Sequence, residues 1–320
     1  MEKVAVFMVE VCIMVWYDGC DIQRMLERTN FRTLRTLEYN QGGNQMKVKD
    51  MYQIVMELVG LDKMPEDSGI VYDNEKEVKR ILAGIDMDPT MLLLAKQLGF
   101  DCVAQHHPAG IMNGGGTDLF SRDHMKKLLE CGVPINEAQR LAYDGKRKRD
   151  QGMHSRNRTQ MHDTAKLLDI SNVAFHTPAD MLAERTVQKK MDELSARNPR
   201  CTIRDVIDEL LTIREYKEAL EGQGPEVWVG GPDSFAGKIY VEMYGVGAPT
   251  LDEYIACSNA GIGTFVGMHA TPDVVEGLRK HNKSNLVIAG HMASDSLGFN
   301  QILDAWEAEG IEIVRISGLV

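Results

Sequence analysis

The sequence lacks several patterns on which common classes of protein depend. Its six cysteines are scattered, with no Cys-x-x-Cys pair, which argues against a zinc finger or a disulfide framework and predicts buried thiols in a reducing compartment. No Gly-x-Ser-x-Gly pattern occurs, so the serine elbow of many hydrolases is excluded. Basic residues are outnumbered, 36 against 47 acidic ones, for a formal net charge of -11. That balance argues against a nucleic-acid-binding protein, and an anionic ligand would need locally placed positive charge or metal.

Long apolar runs are missing as well. The apolar stretch at residues 4–17 is interrupted by Glu10 and is too short to span a bilayer. Its charged flank is thin and no convincing cleavage site follows, so a secretory signal is not predicted either. We interpret residues 1–45 as an N-terminal extension that contains a strand or a helix and ends in a linker at residues 41–45. The expected location is the cytoplasm, with no membrane partner.

What the sequence does contain is a strand-like run that ends in two adjacent histidines. Residues 100–105 are mostly apolar and are followed by His106, His107 and Pro108. Successive side chains of a strand point to opposite faces, so both histidines can serve one site only where the strand ends and the chain bends. Pro108 favours that bend because it fixes its own backbone angle and keeps His107 out of helical geometry. Alone, the pair is a weak signal, since histidine is common as a hydrogen-bonded residue at strand ends.

Two further strand-like runs end in histidine and carry an aspartate four residues later. The two pairs are His176 with Asp180 and His291 with Asp295. On a helical turn that spacing places both side chains on the same face. Imidazole nitrogens and carboxylate oxygens together suit zinc, iron or manganese. The three motifs therefore predict a metal site at strand ends.

The rest of the pattern is that of an α/β protein. Asp88 and Pro89 form a helix start between a predicted strand at residues 78–85 and the strand that ends at His106. This is a βαβ unit, which places functional side chains at the carboxyl ends of parallel strands. A loop containing Pro65 and Gly69 precedes it. Further helices are predicted at residues 48–61, 121–131, 136 onward, 161–168, 180–194, 202–220, 250–260, 272–281 and 297–309, and further strands at residues 227–232 and 238–244 (joined by a turn), 263–266 and 311–316.

Taken in order, these motifs resemble the signature of the Nif-three-like family, often labelled type 2 GTP cyclohydrolase I homologues. The matching segments are residues 78–89, 106–108, 175–180 and 290–295, and the resemblance covers residues 46–320. The combination is specific, although no single segment is. It implies a Nif-three-like α/β fold of two αβ halves, with mixed sheets flanked by helices and metals held at strand ends.

Carrying the family's ligands over to this chain implies two divalent metal ions held by His106, His107, Asp180, His291 and Asp295. The family usually has glutamate where this chain has Asp295, which is one methylene shorter. Either the turn that contains Asp295 therefore lies closer to the metal ions, or the second ion is held less tightly. The resemblance also implies GTP cyclohydrolase-like activity and a ring-like homo-oligomer, a hexamer.

Two hypotheses of function follow. The first is a dinuclear metal-dependent hydrolase acting on a nucleotide, another small anionic ester or a cyclic amide of purine type, because two adjacent cations can activate water. His176 and His269, the latter a fourth strand-end histidine, are the candidate catalytic bases, and His269 is expected to line the cavity rather than bind metal. The second is a metal-binding regulatory or interaction protein without turnover. The other histidines are expected on the surface: His124, His154, His162 and His281.

Residues 110–160 have little strand pattern and are predicted to form a helical, lid-like insertion. The glycine-rich residues 113–117 lack the spacing of a phosphate-binding loop and are interpreted as a hinge. Basic residues are dense in this segment, and they include Arg147, Arg149, Arg156 and Arg158. They form either a lid that brings positive charge over the metals or a solvated helix face, and the sequence leaves both open.

Overall fold

The computed structural model describes residues 4–6, 15–17, 46–108, 117–154, 157–243 and 249–320. The chain divides into two units, Met1–Gly43 and Asn44–Val320. In the first unit, strands β1 (Val4–Val6) and β2 (Val15–Tyr17) pair in antiparallel orientation. The predicted linker at residues 41–45 and most of the glycine-rich stretch at residues 113–117 lie outside the described residues.

No helix in the part of the chain that the structure describes is both long enough and apolar enough to cross a membrane.

The larger sheet of the second unit has the strand order β11-β4-β5-β6-β3. Its strands are β3 (Ser68–Tyr72), β4 (Arg80–Gly84), β5 (Cys102–Gln105), β6 (Ser171–Phe175) and β11 (Glu312–Ile316). β11, β4, β5 and β6 are parallel, and β3 pairs with β6 in antiparallel orientation. The central strands β5 and β6 are buried along their whole length, as expected of parallel strands covered on both faces. Their carboxyl ends therefore lie side by side.

The smaller sheet has the strand order β7-β10-β9-β8. Its strands are β7 (Glu226–Val229), β8 (Lys238–Glu242), β9 (Ile262–Gly267) and β10 (Asn285–Ile288). β8, β9 and β10 are parallel, and β7 runs antiparallel to β10. Both sheets are thus mixed, and the chain is an α/β protein as predicted.

Helices connect the strands and cover the sheets. They are α1 (Val48–Val59), α2 (Pro89–Gln97), α3 (Thr117–Cys131), α4 (Ile135–His154), α5 (Gln160–Leu168), α6 (His176–Arg197), α7 (Ile203–Leu210), α8 (Arg214–Glu218), α9 (Leu251–Asn259), α10 (Pro272–His281) and α11 (His291–Ala308). The start of α2 is as predicted, because the Asp88 side chain accepts a hydrogen bond from the backbone N–H of Met91 and Pro89 occupies the first helical position.

Helices α6 and α11 connect the two sheets. Each follows a strand directly, α6 after β6 of the larger sheet and α11 after β10 of the smaller one. Leu182 of α6 and Phe299 of α11 belong to a buried cluster with the larger sheet, whereas Val187 of α6 and Leu297 of α11 belong to one with the smaller sheet. The two helices therefore contribute to both hydrophobic cores and fix the sheets relative to each other.

Gly298 allows α6 and α11 to approach each other closely. A β-carbon at Gly298 would lie only 2.0 Å from the backbone oxygen of Ala179. Such a contact can be relieved only by moving one helix, because the neighbour is backbone rather than a flexible side chain. The absence of a side chain at Gly298 thus sets the distance between the two helices.

Helix α6 also protects the edge of the smaller sheet. Gln188 accepts a hydrogen bond from the backbone N–H of Val241 at 2.9 Å, and Glu184 accepts one from the N–H of Met243 at 2.9 Å. These donors belong to the edge strand β8 and the residue after it. Side chains of α6 thereby take the place of a further strand, which is one way to prevent edge-to-edge pairing.

Both helices begin earlier than predicted. The expected starts were residue 180 for α6 and residue 297 for α11, whereas α6 begins at His176 and α11 at His291. Pro178 is tolerated because its missing N–H lies in the first helical turn, where backbone donors have no partner within the helix. The correction places each histidine and its aspartate on one continuous helix.

Three other expectations were wrong. Residues 202–220 form two helices rather than one, because Thr212 donates its hydroxyl hydrogen to the Glu209 carbonyl and ends the first helix locally. Strand β3 lies where a loop was expected. The strand was missed because it contains Gly69 and lies at the edge of the larger sheet, where the alternation of apolar residues is weak. Strands β7 and β8 do not form a hairpin but lie at opposite edges of the smaller sheet.

The first prediction concerns the helix crossing. Replacing Gly298 by alanine should reduce the free energy of unfolding by about 2–3 kcal/mol, because the new β-carbon forces backbone atoms apart in a packed core. Helix propensity alone would change stability in the opposite direction. Urea denaturation measures the effect, with Gly231→Ala as a control, since a β-carbon there meets nothing closer than 3.7 Å. Equal stability of Gly298→Ala and wild type would show that the close approach is not required.

Candidate metal centre

Strand ends and helix starts bring the predicted side chains together. His106 and His107 follow β5, His176 begins α6 directly after β6, and His291 begins α11 after β10. The helices add the aspartates one turn later. His106, Asp180 and Asp295 have side chains that are at most 4% exposed, whereas the His291 side chain is 39% exposed. The centre is thus buried on one side and open on the other.

The ligand-type atoms of these residues converge. Asp295 lies in the middle: its Oδ1 is 3.5 Å from His106 Nε2, and its Oδ2 is 3.3 Å from His107 Nε2 and 3.4 Å from His291 Nε2. Asp180 Oδ1 is 3.4 Å from His106 Nε2. The two oxygens of Asp295 therefore face different histidines.

The Nδ1 atoms of three histidines are held from outside the centre. His106 Nδ1 lies 3.3 Å from the Phe175 carbonyl oxygen, and His107 Nδ1 lies 2.9 Å from Asp86 Oδ1. His176 Nδ1 lies 2.7 Å from Asp67 Oδ2. Carbonyl and carboxylate oxygens can only accept, so each Nδ1 donates and each Nε2 faces the centre. This is the usual arrangement around metal-binding histidines.

Several buried atoms of the centre have no hydrogen-bond partner. They are His106 Nε2, Asp180 Oδ1 and both carboxylate oxygens of Asp295. Leaving buried polar atoms unpaired is costly. Ligand atoms bound at roughly 2.0–2.1 Å to a tetrahedral cation lie about 3.3 Å from one another, close to the spacings found here. The orphaned atoms therefore fit a metal ion better than they fit a hydrogen-bond network.

The two aspartates differ electrostatically. Burial raises the pKa of Asp180 well above its usual value, and the charge of His176 opposes this only in part. Burial also acts to raise the pKa of Asp295, but the positive charge that the nearby His106 and His291 imidazole groups can carry outweighs it and holds that pKa far below its usual range. Asp295 is thus the carboxylate that stays ionised most readily, which suits a metal ligand.

Three overlapping groups of residues could hold a metal ion. They are His106 with His107 and His176, His107 with His291 and Asp295, and His106 with Asp180 and Asp295. The structure thus brings together all five predicted ligands, and it adds His176, which was predicted as a base. His269 is in none of these groups among the described residues, but its ring lies 4.7 Å from that of His291. That position is consistent with a residue that lines the cavity.

Asp67 and Asp86 were missed by the sequence reasoning. Asp67 accepts hydrogen bonds from His176 Nδ1 and, at 2.9 Å, from the hydroxyl of Thr177. It lies just before β3, the strand that was mistaken for a loop. Asp86 lies directly after the predicted strand at residues 78–85. No spacing rule links either aspartate to its histidine, because each contact is made between separate strand ends.

The structure shows only part of the predicted lid. Arg147 lies on α4 with its side chain 62% exposed and 3.7 Å from Asp144, as on a solvated helix face. Arg158 is half-buried. The side chain of Arg149 and all of Arg156 lie outside the described residues. The lid stays a prediction.

Comparison with known proteins places these features in a family context. No protein-family model and no curated protein matches the sequence, but solved structures do. A NIF3 superfamily protein from Sphaerobacter thermophilus is 31% identical over 86% of this chain and 99% of that one, with a TM-score of 0.80. Reduced HcgD from Methanocaldococcus jannaschii is 16% identical over 84% and 97% of the two chains, with a TM-score of 0.53, and shares the fold.

The second prediction concerns Asp67. Burial lowers the pKa of His176, but the charge of Asp180 and the hydrogen bond and charge of Asp67 outweigh it and raise the pKa to about 10. Because folding raises this pKa, protonation of His176 stabilises the folded state. The stabilisation is complete below pH 6.5, the ordinary pKa of histidine, and is lost as the pH rises toward 10. In chelator-treated protein, Asp67→Asn should weaken that pH dependence by about 1–2 kcal/mol, because it removes one negative charge.

Urea denaturation at pH 6.5, 8 and 10 measures this effect. Asp233→Asn is the matched control, because it removes a carboxylate from an exposed ion pair with Arg204. That control should leave the pH dependence of stability unchanged. An unchanged pH dependence in Asp67→Asn would show that Asp67 does not hold the His176 proton.

Proposed function

This chain belongs to the NIF3 superfamily, and from that premise we propose that its His–Asp centre holds two divalent metal ions and hydrolyses a small anionic substrate such as a nucleotide. The environment of the Asp295 carboxylate is the observation that supports the proposal most strongly. Both of its carboxylate oxygens are buried and unpaired, and they face different sets of histidines. A single carboxylate placed in this way suits a centre with two ions rather than one.

The proposed ligands are the five residues named from the sequence. His106, His107, Asp180 and His291 would share the two ions, with Asp295 between them. His106, His107 and Asp295 each belong to two of the metal-capable groups, so no residue set closes around one ion independently of the other. A divalent pair at this position would polarise a substrate oxygen and lower the pKa of a water molecule.

The protein's own contribution is orientation and proton transfer. Phe175 and Asp86 hold the Nδ1 atoms of His106 and His107, so the rings cannot turn away from the centre. His269 lies beside the more exposed His291, where it can reach a substrate. Burial lowers its pKa, which favours the neutral ring that a general base requires. His176, held by Asp67, is the second candidate for moving a proton at Nε2.

The alternative function is a metal-binding regulatory or interaction protein without turnover. The near-complete burial of Asp180 and Asp295 favours it, because structural metal sites are closed. The exposed edge at His291 favours the enzyme, because catalysis requires access to the ions. A cytoplasmic location, GTP cyclohydrolase-like activity and a hexameric ring remain predictions from the family resemblance.

The third prediction tests the metal assignment. Purified protein should contain about two transition-metal ions per chain by elemental analysis, since these ligand types suit two cations. Replacing His106 and His107 together by alanine should remove at least one of them. His154→Ala is the matched control, because His154 is exposed on α4. Full metal content in the double variant would refute the site.

The fourth prediction tests turnover. Metal-loaded protein should hydrolyse at least one member of a panel of nucleotides, including GTP, and small phosphate esters, and chelation should abolish the activity. His269→Ala should reduce the turnover rate about 100-fold, the usual contribution of a general base, without changing metal content. A metal-loaded protein that turns over none of these compounds would favour the regulatory alternative.

A further inference from the structure

A second group of buried ionisable residues lies away from the His–Asp centre. It surrounds a pocket between α3, strands β8 and β9, and α9. Its empty space is about 290 Å³ when the open mouth is included, and the part that the centre of a water-sized molecule can occupy is about 20 Å³. Its lining comprises His124, Lys127, Leu128, Tyr240, Glu242, Pro249, Glu253, Tyr254, Cys257 and Phe265. Neither the motifs in the sequence nor the proposed hydrolysis uses any of these residues.

Ion pairs line one side of the pocket. Lys127 Nζ lies 2.6 Å from Glu184 and 3.5 Å from Glu242. His124 Nε2 lies 2.7 Å from Glu253, and the His124 side chain is only 14% exposed, so the expectation that His124 is a surface residue was wrong. Burial acts to lower the pKa of His124, but the hydrogen bond and charge of Glu253 outweigh this and raise it. The imidazole is therefore the second basic group of the pocket.

Negative charge exceeds positive charge in this network. Among the side chains that the structure describes here, three carboxylates (Glu184, Glu242 and Glu253) stand against two basic groups (Lys127 and His124). Of the two carboxylates that pair with Lys127, Glu242 is the less well neutralised. It lies farther from the Lys127 ammonium group than Glu184 does. Burial raises the pKa of Glu242, and the charge of Lys127 offsets this only in part. With all three carboxylates ionised, one further cation would balance the pocket, and such a cation beside Glu242 would favour its charged form against the effect of burial.

An unpaired hydroxyl group lies near the backbone of Glu242, in the lining of the same pocket. The Tyr254 side chain is 2% exposed, and its oxygen has no hydrogen-bond partner. That oxygen lies beside Gly267, since a β-carbon there would be 3.6 Å from it and 3.6 Å from the Glu242 carbonyl oxygen. A buried hydroxyl group without a partner is costly, and this one lines the pocket. It points to a ligand that carries hydrogen-bonding groups.

The remaining wall is aromatic. Tyr240, Tyr254 and Phe265 line the pocket, and the rings of Tyr254 and Phe265 pack edge to face with centroids 4.8 Å apart. Aromatic faces attract cations, and the attraction is strongest where water is excluded. An apolar anion or a neutral hydrocarbon would gain nothing from the excess carboxylate. The aromatic walls and the excess of carboxylates both favour a cationic ligand.

We propose that this pocket binds the primary ammonium group of a small organic amine, with Glu242 and the Tyr254 hydroxyl oxygen accepting its N–H hydrogen bonds and the aromatic rings packing around its carbon atoms. The proposal does not rest on the proposed hydrolysis. Glu242 pairs in register with Gly267 of β9, which pairs with Ile288 of β10. The pocket therefore lies at the carboxyl ends of these parallel strands, as does His291, which follows β10.

Equilibrium dialysis with labelled methylammonium tests the proposal on the full-length, metal-loaded protein in sodium chloride of constant ionic strength. Wild type should bind about one methylammonium per chain in a saturable manner, and methanol, its neutral analogue, should not compete. Glu242→Gln should weaken binding about ten-fold or more, because it removes the unbalanced charge. Glu276→Gln, which changes an exposed residue of α10, should bind as wild type does.

Tyr254→Phe provides a second test that does not depend on a buried charge. It should weaken methylammonium binding several-fold, yet leave the melting temperature of the ligand-free protein unchanged or higher, because the hydroxyl loses no partner. Absence of saturable binding, equal binding by Glu242→Gln and wild type, or equal binding by Tyr254→Phe and wild type would overturn the proposal. Displacement of methylammonium by an equal concentration of potassium would also overturn it, since the site would then select a monovalent cation rather than an amine.

Discussion

The close approach of α6 and α11 at Ala179 and Gly298 is the contact on which the rest of the structure depends. Each helix begins at a metal-type histidine and carries an aspartate one turn later. The distance between the helices therefore sets the distance between the two His–Asp pairs. Because both helices also contribute to the two hydrophobic cores, the centre is positioned by packing energy rather than by flexible loops.

The face of α6 performs several tasks at four-residue steps. His176 and Asp180 face the His–Asp centre, whereas Glu184 and Gln188 hold the edge of the smaller sheet. Glu184 also pairs with Lys127 of the second pocket at 2.6 Å. One helix thus links the centre, the sheet edge and the pocket. A change in any of these residues is expected to act through the position of the helix as well as through its own contact.

The sequence was sufficient to predict the α/β class, the start of α2 and the convergence of the strand-end histidines, because these depend on local patterns and on the geometry of parallel strands. It was not sufficient to predict that Asp67 holds His176, since that contact joins distant segments through a strand concealed by Gly69. Nor does any local pattern show that His124 is half-buried against Glu253. Where tertiary packing decides, as at the early start of α11, the sequence pattern placed the boundary too late.

Anomalous diffraction from crystals of the zinc-loaded protein would test the central claim directly. We predict two zinc peaks near Asp295, each within about 2 Å of a histidine Nε2 from the set formed by His106, His107 and His291, because these are the bond lengths of protein zinc sites. A single peak, or peaks bound elsewhere in the chain with Asp180 and Asp295 left unliganded, would contradict the view that the crossing of α6 and α11 builds one dinuclear centre.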